Sequence, residues 1–359
     1  MELEWPAMDD GPRIDAHIHQ WDPRVTPRTV TPAVKALGWN PRLLRTLAEK
    51  AVPTALLEFI GDPETALNPY LPGMWRADTR PRRVRGFVHV QADWQAKGAM
   101  GVVDETRWLE QVCGSDLLAV VGRVDLASPS LDAILDGHHA ASHRFRGIRD
   151  YLAHSNGNDA LADWASRPDR TAEAAWRRGY DRLGERGLTF DAWAYGHQLP
   201  SVATLLGAHP ETAVVLDHLG SPVGFGGPFA GVGTTARERD EIIRRWRDDI
   251  AAVAAHPQAH VKLSGLAMPV SGFDWHRRDV PVTAEEVAEG FAPLVHHALE
   301  VFGPARCMVA SNFPMDRVSL DFTTLMDAMD LLTEHLDEAD RRAVLHDTAA
   351  SFYGITEDQ

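Results

Sequence analysis

Residues 13–23, Arg13-Ile14-Asp15-Ala16-His17-Ile18-His19-Gln20-Trp21-Asp22-Pro23, decide the fold. They predict a short buried strand that ends in two histidines spaced i, i+2. Side chains alternate across a strand, so His17 and His19 share one face while Ile14, Ala16 and Ile18 take the other. Two adjacent imidazoles can grip one metal ion or one anionic substrate group. A doubly wound sheet would follow its first strand with a Gly-rich phosphate turn. Here HQWDP follows, which favours a closed barrel.

Seven more β-rich runs lie downstream, at 84–92, 117–126, 143–151, 188–195, 212–220, 259–266 and 306–314. Stretches of helical character separate them, notably 162–187, 200–209, 237–256 and 284–303, and a last helix is expected over 337–355. Strand–helix alternation predicts parallel strands with helical crossovers. Eight such units in 359 residues predict an α/β fold, a single-domain (β/α)8 TIM barrel. The expected organisation is an N-terminal tail over 1–12 and a barrel over 13–359. Three long βα loops are expected. Residues 24–82 form a Pro-rich insertion after the first strand, in which VPTALLEFIGD (52–62) fits a strand or a short helix equally. Residues 221–233 and 268–279 follow the sixth and seventh strands.

Composition narrows the function. Hydrophobic residues make up 44 % and charged residues 24 %, ordinary for a globular chain. The net charge of −15 argues against nucleic acid and anionic membrane surfaces, which attract basic patches. An anionic small substrate stays compatible, because a local arginine can reverse the field inside a pocket. The two cysteines, Cys113 and Cys307, are far apart, which fits a reducing compartment. No apolar leader or run long enough to span a membrane is visible, so a cytoplasmic protein is expected. Homo-oligomerisation is left open.

Candidate residues cluster at the C-terminal ends of the predicted strands, which converge on one face of a parallel barrel. His17 and His19 end the first strand and Arg149 the fourth. Asp191 lies in the fifth, with His197 just beyond. Asp217 and His218 end the sixth, Lys262 and Ser264 lie in the seventh, and Asn312 ends the eighth. Strict alternation lets only one of Asp217 and His218 face the interior, which places His218 in the site as ligand, acid/base or donor and gives Asp217 a structural role. Arg149 suits a substrate carboxylate, against the plainer alternative of an ion pair with Asp150. Asp191 can act as a base or cap the next helix, and His197 can bind substrate or serve its turn. Trp21, Phe225, Phe273 and Trp275 can wall an apolar pocket or anchor their loops.

With IDAHIHQWDP, FRGIRDY, LTFDAW, VVLDHLGSP, VKLSGL and MVASNFPMD in order from residue 13 to about 320, the chain resembles the amidohydrolase-related, TIM-barrel metal-dependent hydrolases, most closely their lactonase branch. The resemblance implies hydrolysis of lactones, amides or related carbonyl compounds, with decarboxylation of aromatic acids among relatives. It implies metal or catalytic roles for His17, His19 and His218 and a carboxylate contact for Arg149. The divalent ion it implies is favoured to be zinc, held weakly or not at all if the site is incomplete. One position departs: the family's eighth-strand aspartate is Asn312 here. An amide can orient water but cannot deprotonate it. The base is then His218, Asp316, Asp191 or a water activated by metal. The expected function is hydrolysis of a lactone or similar carboxyl derivative. The alternatives are a decarboxylase on the same barrel and a non-catalytic binding barrel.

Overall fold

The computed structural model describes residues 12–95 and 97–356. The expected tail over 1–12 therefore lies outside the described residues, apart from Pro12. Eight strands form one parallel sheet in the order β1 to β8: Arg13–Ile18, Val84–Val90, Leu117–Gly122, Phe145–Ile148, Thr189–Ala192, Val214–Leu216, Ala259–Leu263 and Cys307–Val309. Each lies within one predicted run. The sheet closes where Phe313, just past β8, pairs with Ile18. Two backbone bonds support this seam, His19 N to Phe313 O at 2.8 Å and Asn312 N to His17 O at 2.9 Å.

Alternation along the strands builds two apolar layers. Phe87, Val120, Phe190, Leu216 and Val261 face outward against helix residues such as Trp246, Leu299 and Met329. Val88, Val121, Val215 and Met308 face inward with Tyr353 of the C-terminal segment. β1 breaks the simple rule. Ile14 and Ala16 join the inner layer, yet Ile18 joins the outer one. Its pairing with β2 slips between Asp15 and Ile18. A bulge of this kind rephases the side chains beyond it and aims His17 and His19 inward.

The crossovers carry long amphipathic helices, including 236–254 and 284–302. Each starts on a capping box, Thr235 with Glu238 and Thr283 with Glu286, which satisfies the first free N–H groups. Over 162–187 only Ala174–Glu185 forms an α-helix. The 24–82 insertion is largely helical, with segments at 31–37, 41–51, 54–60, 64–67 and 72–79, so residues 54–60 resolve as helix. Among the described residues no helix is long and apolar enough to cross a membrane.

Candidate active site

At the end of β1 the Nε2 atoms of His17 and His19 face each other at 3.2 Å. Their other nitrogens are braced. His19 Nδ1 donates to the Val90 carbonyl at 2.7 Å, which leaves its Nε2 as a lone pair. His17 Nδ1 lies 3.2 Å from Asp217 Oδ1 and 3.0 Å from Lys262 Nζ. Burial pushes both imidazoles well below their ordinary pKa, aided by Lys262 at His17 and by Arg149 at His19. Both are neutral at pH 7, as metal ligation requires.

β6 stops at Leu216, and residues 217–220 form a tight turn in which His218 and Leu219 take positive φ of 55° and 54°. Left-handed non-glycine residues are costly and concentrate at functional sites. The turn abolishes alternation, so Asp217 and His218 both enter the site. Both side chains thus face the barrel interior, where a regular strand would admit only one: His218 lines the cavity and Asp217 braces His17 beneath it. Gly265 makes room for this turn: a Cβ there would sit 2.8 Å from the Cβ of His218. His218 Nδ1 pairs with Ser264 Oγ at 2.8 Å. Burial lowers the His218 pKa to about 3 against the upward pull of Asp217, and Lys262 and Arg149 add to the fall.

Beneath these residues lies a buried charge network. Lys262 Nζ donates to Asp191 Oδ2 at 2.5 Å and to Asp217 Oδ1 at 3.0 Å, and it lies 3.0 Å from His17 Nδ1, whose own proton goes to Asp217. Burial alone would raise Asp217, but Lys262 and His17 hold it well below the usual carboxylate range. Asp191 also accepts from Tyr353 Oη at 3.0 Å, and burial lifts its pKa to about 6. It lies in this floor rather than on the cavity wall.

Arg149 Nη2 donates to the Gln91 carbonyl at 2.6 Å, while Nη1 lies 3.5 Å from His17 Nε2 and 3.9 Å from Asp217 Oδ2. Asp150 pairs instead with Arg170 at 3.0 Å. Asn312, at φ 58°, donates from Nδ2 to Asp316 Oδ1 at 2.7 Å. Asp316 Oδ2 accepts from Ala267 N at 3.0 Å. Both Asp316 oxygens are occupied, and burial raises its pKa to about 7. The Asn312 side chain consequently turns its Oδ1 toward the cavity.

The cavity, about 180 Å³, has His19, His218, Arg149 and Asn312 at its base. Its walls come from Trp21, Phe59, Tyr151, Trp164 and Trp193, with Arg28 among them. Three sequence expectations fall outside it. His197 is exposed and bonds the His154 carbonyl at 3.1 Å. Phe225, Phe273 and Trp275 pack around Phe291 in the outer layer, anchoring their loops. Of the 221–233 and 268–279 loops, only Met268 reaches the lining. Sequence reading missed Arg28, Phe59, Tyr151, Trp164 and Trp193, and gave Lys262 no role. A lysine inside the apolar run VKLSGL was a usable signal, since lysine is rarely fully buried unless paired.

The residues fit a metal ion. Ligand-capable atoms of His17, Asp217 and His218 lie within 4.8 Å of one another. Two ligands about 2.0–2.1 Å from a tetrahedral zinc lie roughly 3.3 Å apart, close to the His17–His19 spacing. Braced outer nitrogens of the kind seen on both histidines accompany metal-ligating imidazoles.

Comparison with known proteins agrees with this geometry. The amidohydrolase family model matches residues 14–355. An uncharacterized protein of Sinorhizobium fredii, y4mH, is 26 % identical over 351 residues, 97 % of this chain and 100 % of that protein. L-fucono-1,5-lactonase of Burkholderia multivorans is 27 % identical over 291 residues, 79 % of this chain and 89 % of the lactonase. A solved amidohydrolase of Burkholderia multivorans, crystallised with HEPES, superposes with a TM-score of 0.71 at 24 % identity, over 96 % of this chain and 100 % of that one. A second crystal form of such a protein contains zinc and gives a TM-score of 0.68 at 24 % identity, with the same coverage. The eight-stranded barrel, its ring of strand-end histidines and the match over almost all described residues lead to one conclusion: this chain is a member of the amidohydrolase family.

Proposed function

We propose that the protein hydrolyses a lactone or a closely related ester by attack of water on the carbonyl carbon. The observation that carries this reading is the convergence of His19, His218, Arg149 and Asn312 on the base of one cavity. The lactonase relatives favour a cyclic ester as substrate. His17 and His19 would hold a divalent ion through their Nε2 atoms, zinc being favoured by the zinc-bearing solved relative. When bound, the ion supplies Lewis acidity toward the substrate carbonyl and the attacking water.

The remaining roles belong to the chain. His218 is neutral, and its Nδ1 is engaged by Ser264, so Nε2 is left to take a proton from water. Asp316 and Asp191 are poor candidates for this step, since neither lines the cavity. Asn312 Oδ1 accepts a hydrogen bond from that water and orients it. Arg149 lies beside His17 and stabilises negative charge gathering on the carbonyl oxygen. The His218 proton then passes to the leaving alkoxide as the ring opens. Asp217 keeps the His17 ring in register.

The test is metal analysis of purified protein together with turnover of a lactone panel. Zinc near one equivalent, lost in His17→Ala along with about a thousandfold of kcat/KM, is the expected result. Carbon dioxide release without ring opening would instead identify a decarboxylase. Absence of all turnover, with activity appearing only in Asn312→Asp, would identify a binding barrel that has lost its base.

A further inference from the structure

The cavity above the reaction centre has a chemistry of its own. Phe59, Tyr151, Trp164 and Trp193 form one aromatic box. Trp164 and Trp193 lie 5.2 Å apart, Phe59 and Trp164 5.2 Å, and Tyr151 and Trp193 5.6 Å, all in tilted or edge-to-face contact. Leu56, Ile60, Met268 and Met315 extend the apolar lining. A sugar-like ring buried here would leave hydroxyls without partners, which selects against it. Of the few polar groups away from the base, Asp93 is already spent on Arg123 at 2.6 Å and on Gln95 Nε2 at 2.9 Å.

Arg28 is different. It lies on the 24–82 insertion, with its guanidinium 4.3 Å from the centre of the Trp21 ring and one N–H donated to the Ala92 carbonyl. Among the described residues no carboxylate lies within ion-pair distance of it. Arg149, by contrast, is tied to Gln91, His17 and Asp217. Within a chain of net charge −15, this cavity therefore holds a cation stacked on an indole and without a contacting carboxylate, with Asp93 and Glu105 acting on it only from beyond ion-pair distance. That arrangement suits a carboxylate, which a guanidinium can grip by two parallel hydrogen bonds.

We infer that the substrate is an anionic aromatic compound, its ring seated among Phe59, Tyr151, Trp164 and Trp193 and its carboxylate held by Arg28. This rests on the hydrolase reading only for the bond that is cleaved, since the recognition chemistry is independent of it. Arg28 is then a specificity residue, and Arg149 serves the reacting carbonyl.

Two measurements test this with the zinc-supplemented full chain. First, calorimetric titration with 3-phenylpropionate, which contains no cleavable ester, is expected to show saturable binding that Arg28→Gln weakens about tenfold, with binding of the neutral 3-phenylpropionamide unchanged. Second, a carboxyl-substituted dihydrocoumarin is expected to be cleaved with about tenfold higher kcat/KM than dihydrocoumarin, and Arg28→Gln is expected to erase that preference. Binding without cleavage of any lactone would sink the hydrolase reading and leave the ligand class standing. No binding of the acid, equal weakening of acid and amide by Arg28→Gln, or preferred turnover of a sugar 1,5-lactone would overturn the inference.

Discussion

The two strands that meet at the barrel seam treat charge in opposite ways. On the β1 side, His17 is wired to Asp217 and Lys262, and through Lys262 to Asp191 and Tyr353. Within that network the Lys262 charge faces both Asp191 and Asp217. On the β8 side the carboxylate has withdrawn: Asn312 stands at the cavity and Asp316 lies behind it, holding the amide in place. The contrast teaches that a buried acid needs a cation to stay charged, and that without one it is better placed behind a neutral group. Asp217 beside Lys262 is held low, whereas Asp316, with only N–H partners, rises to about 7.

The hardest blow to the first arrangement is Lys262→Met. It leaves Asp191 and Asp217 buried without their cation, and a loss of about 3–5 kcal/mol in urea unfolding is expected. A loss below about 1 kcal/mol would show that the acids simply take up protons. Asp217→Asn keeps the shape but removes the charge that braces His17. A ten- to hundredfold fall in zinc affinity is expected in a chelator competition, with little change in unfolding midpoint.

The β8 side is probed by pH. The folded state raises Asp316 above its ordinary value of 3.8 to about 7 and so holds its proton more tightly than the unfolded chain. Its contribution to stability is full below about pH 4 and is lost as pH rises through about 7. Asp316→Asn should flatten that decline relative to wild type by up to about 1.4 kcal/mol per pH unit. Asp15 and Asp191, raised to about 6, stay in both proteins, so the difference isolates Asp316. Identical pH profiles would refute its protonation in this window. The smallest effect is expected outside both arrangements: His197→Ala should change kcat/KM by less than about twofold, since His197 is exposed and bonds only a backbone carbonyl.

The strands were legible because each is a short apolar run between turn residues, and of the ten candidates placed at strand ends only His197 lies outside the barrel mouth and its floor. What failed was strict alternation. It supplied no bulge in β1, and at β6 it forced a choice between Asp217 and His218 that the left-handed turn removes. The aromatic box was illegible for another reason. Phe59 comes from a helix of the insertion, Trp164 from a loop, and Tyr151 and Trp193 from just beyond two strand ends, and no spacing in the chain marks them as neighbours. Phe225, Phe273 and Trp275 sit in loops of the expected kind, yet turn outward to pack on Phe291.

Tyr353 follows all eight strands in the chain, yet its hydroxyl completes the partners of Asp191 beneath His17. During synthesis, a ribosome must therefore deliver residue 353 before the floor of the cavity is finished. Any truncated product that stops after β8 carries the metal-capable histidines with a buried aspartate short of one donor.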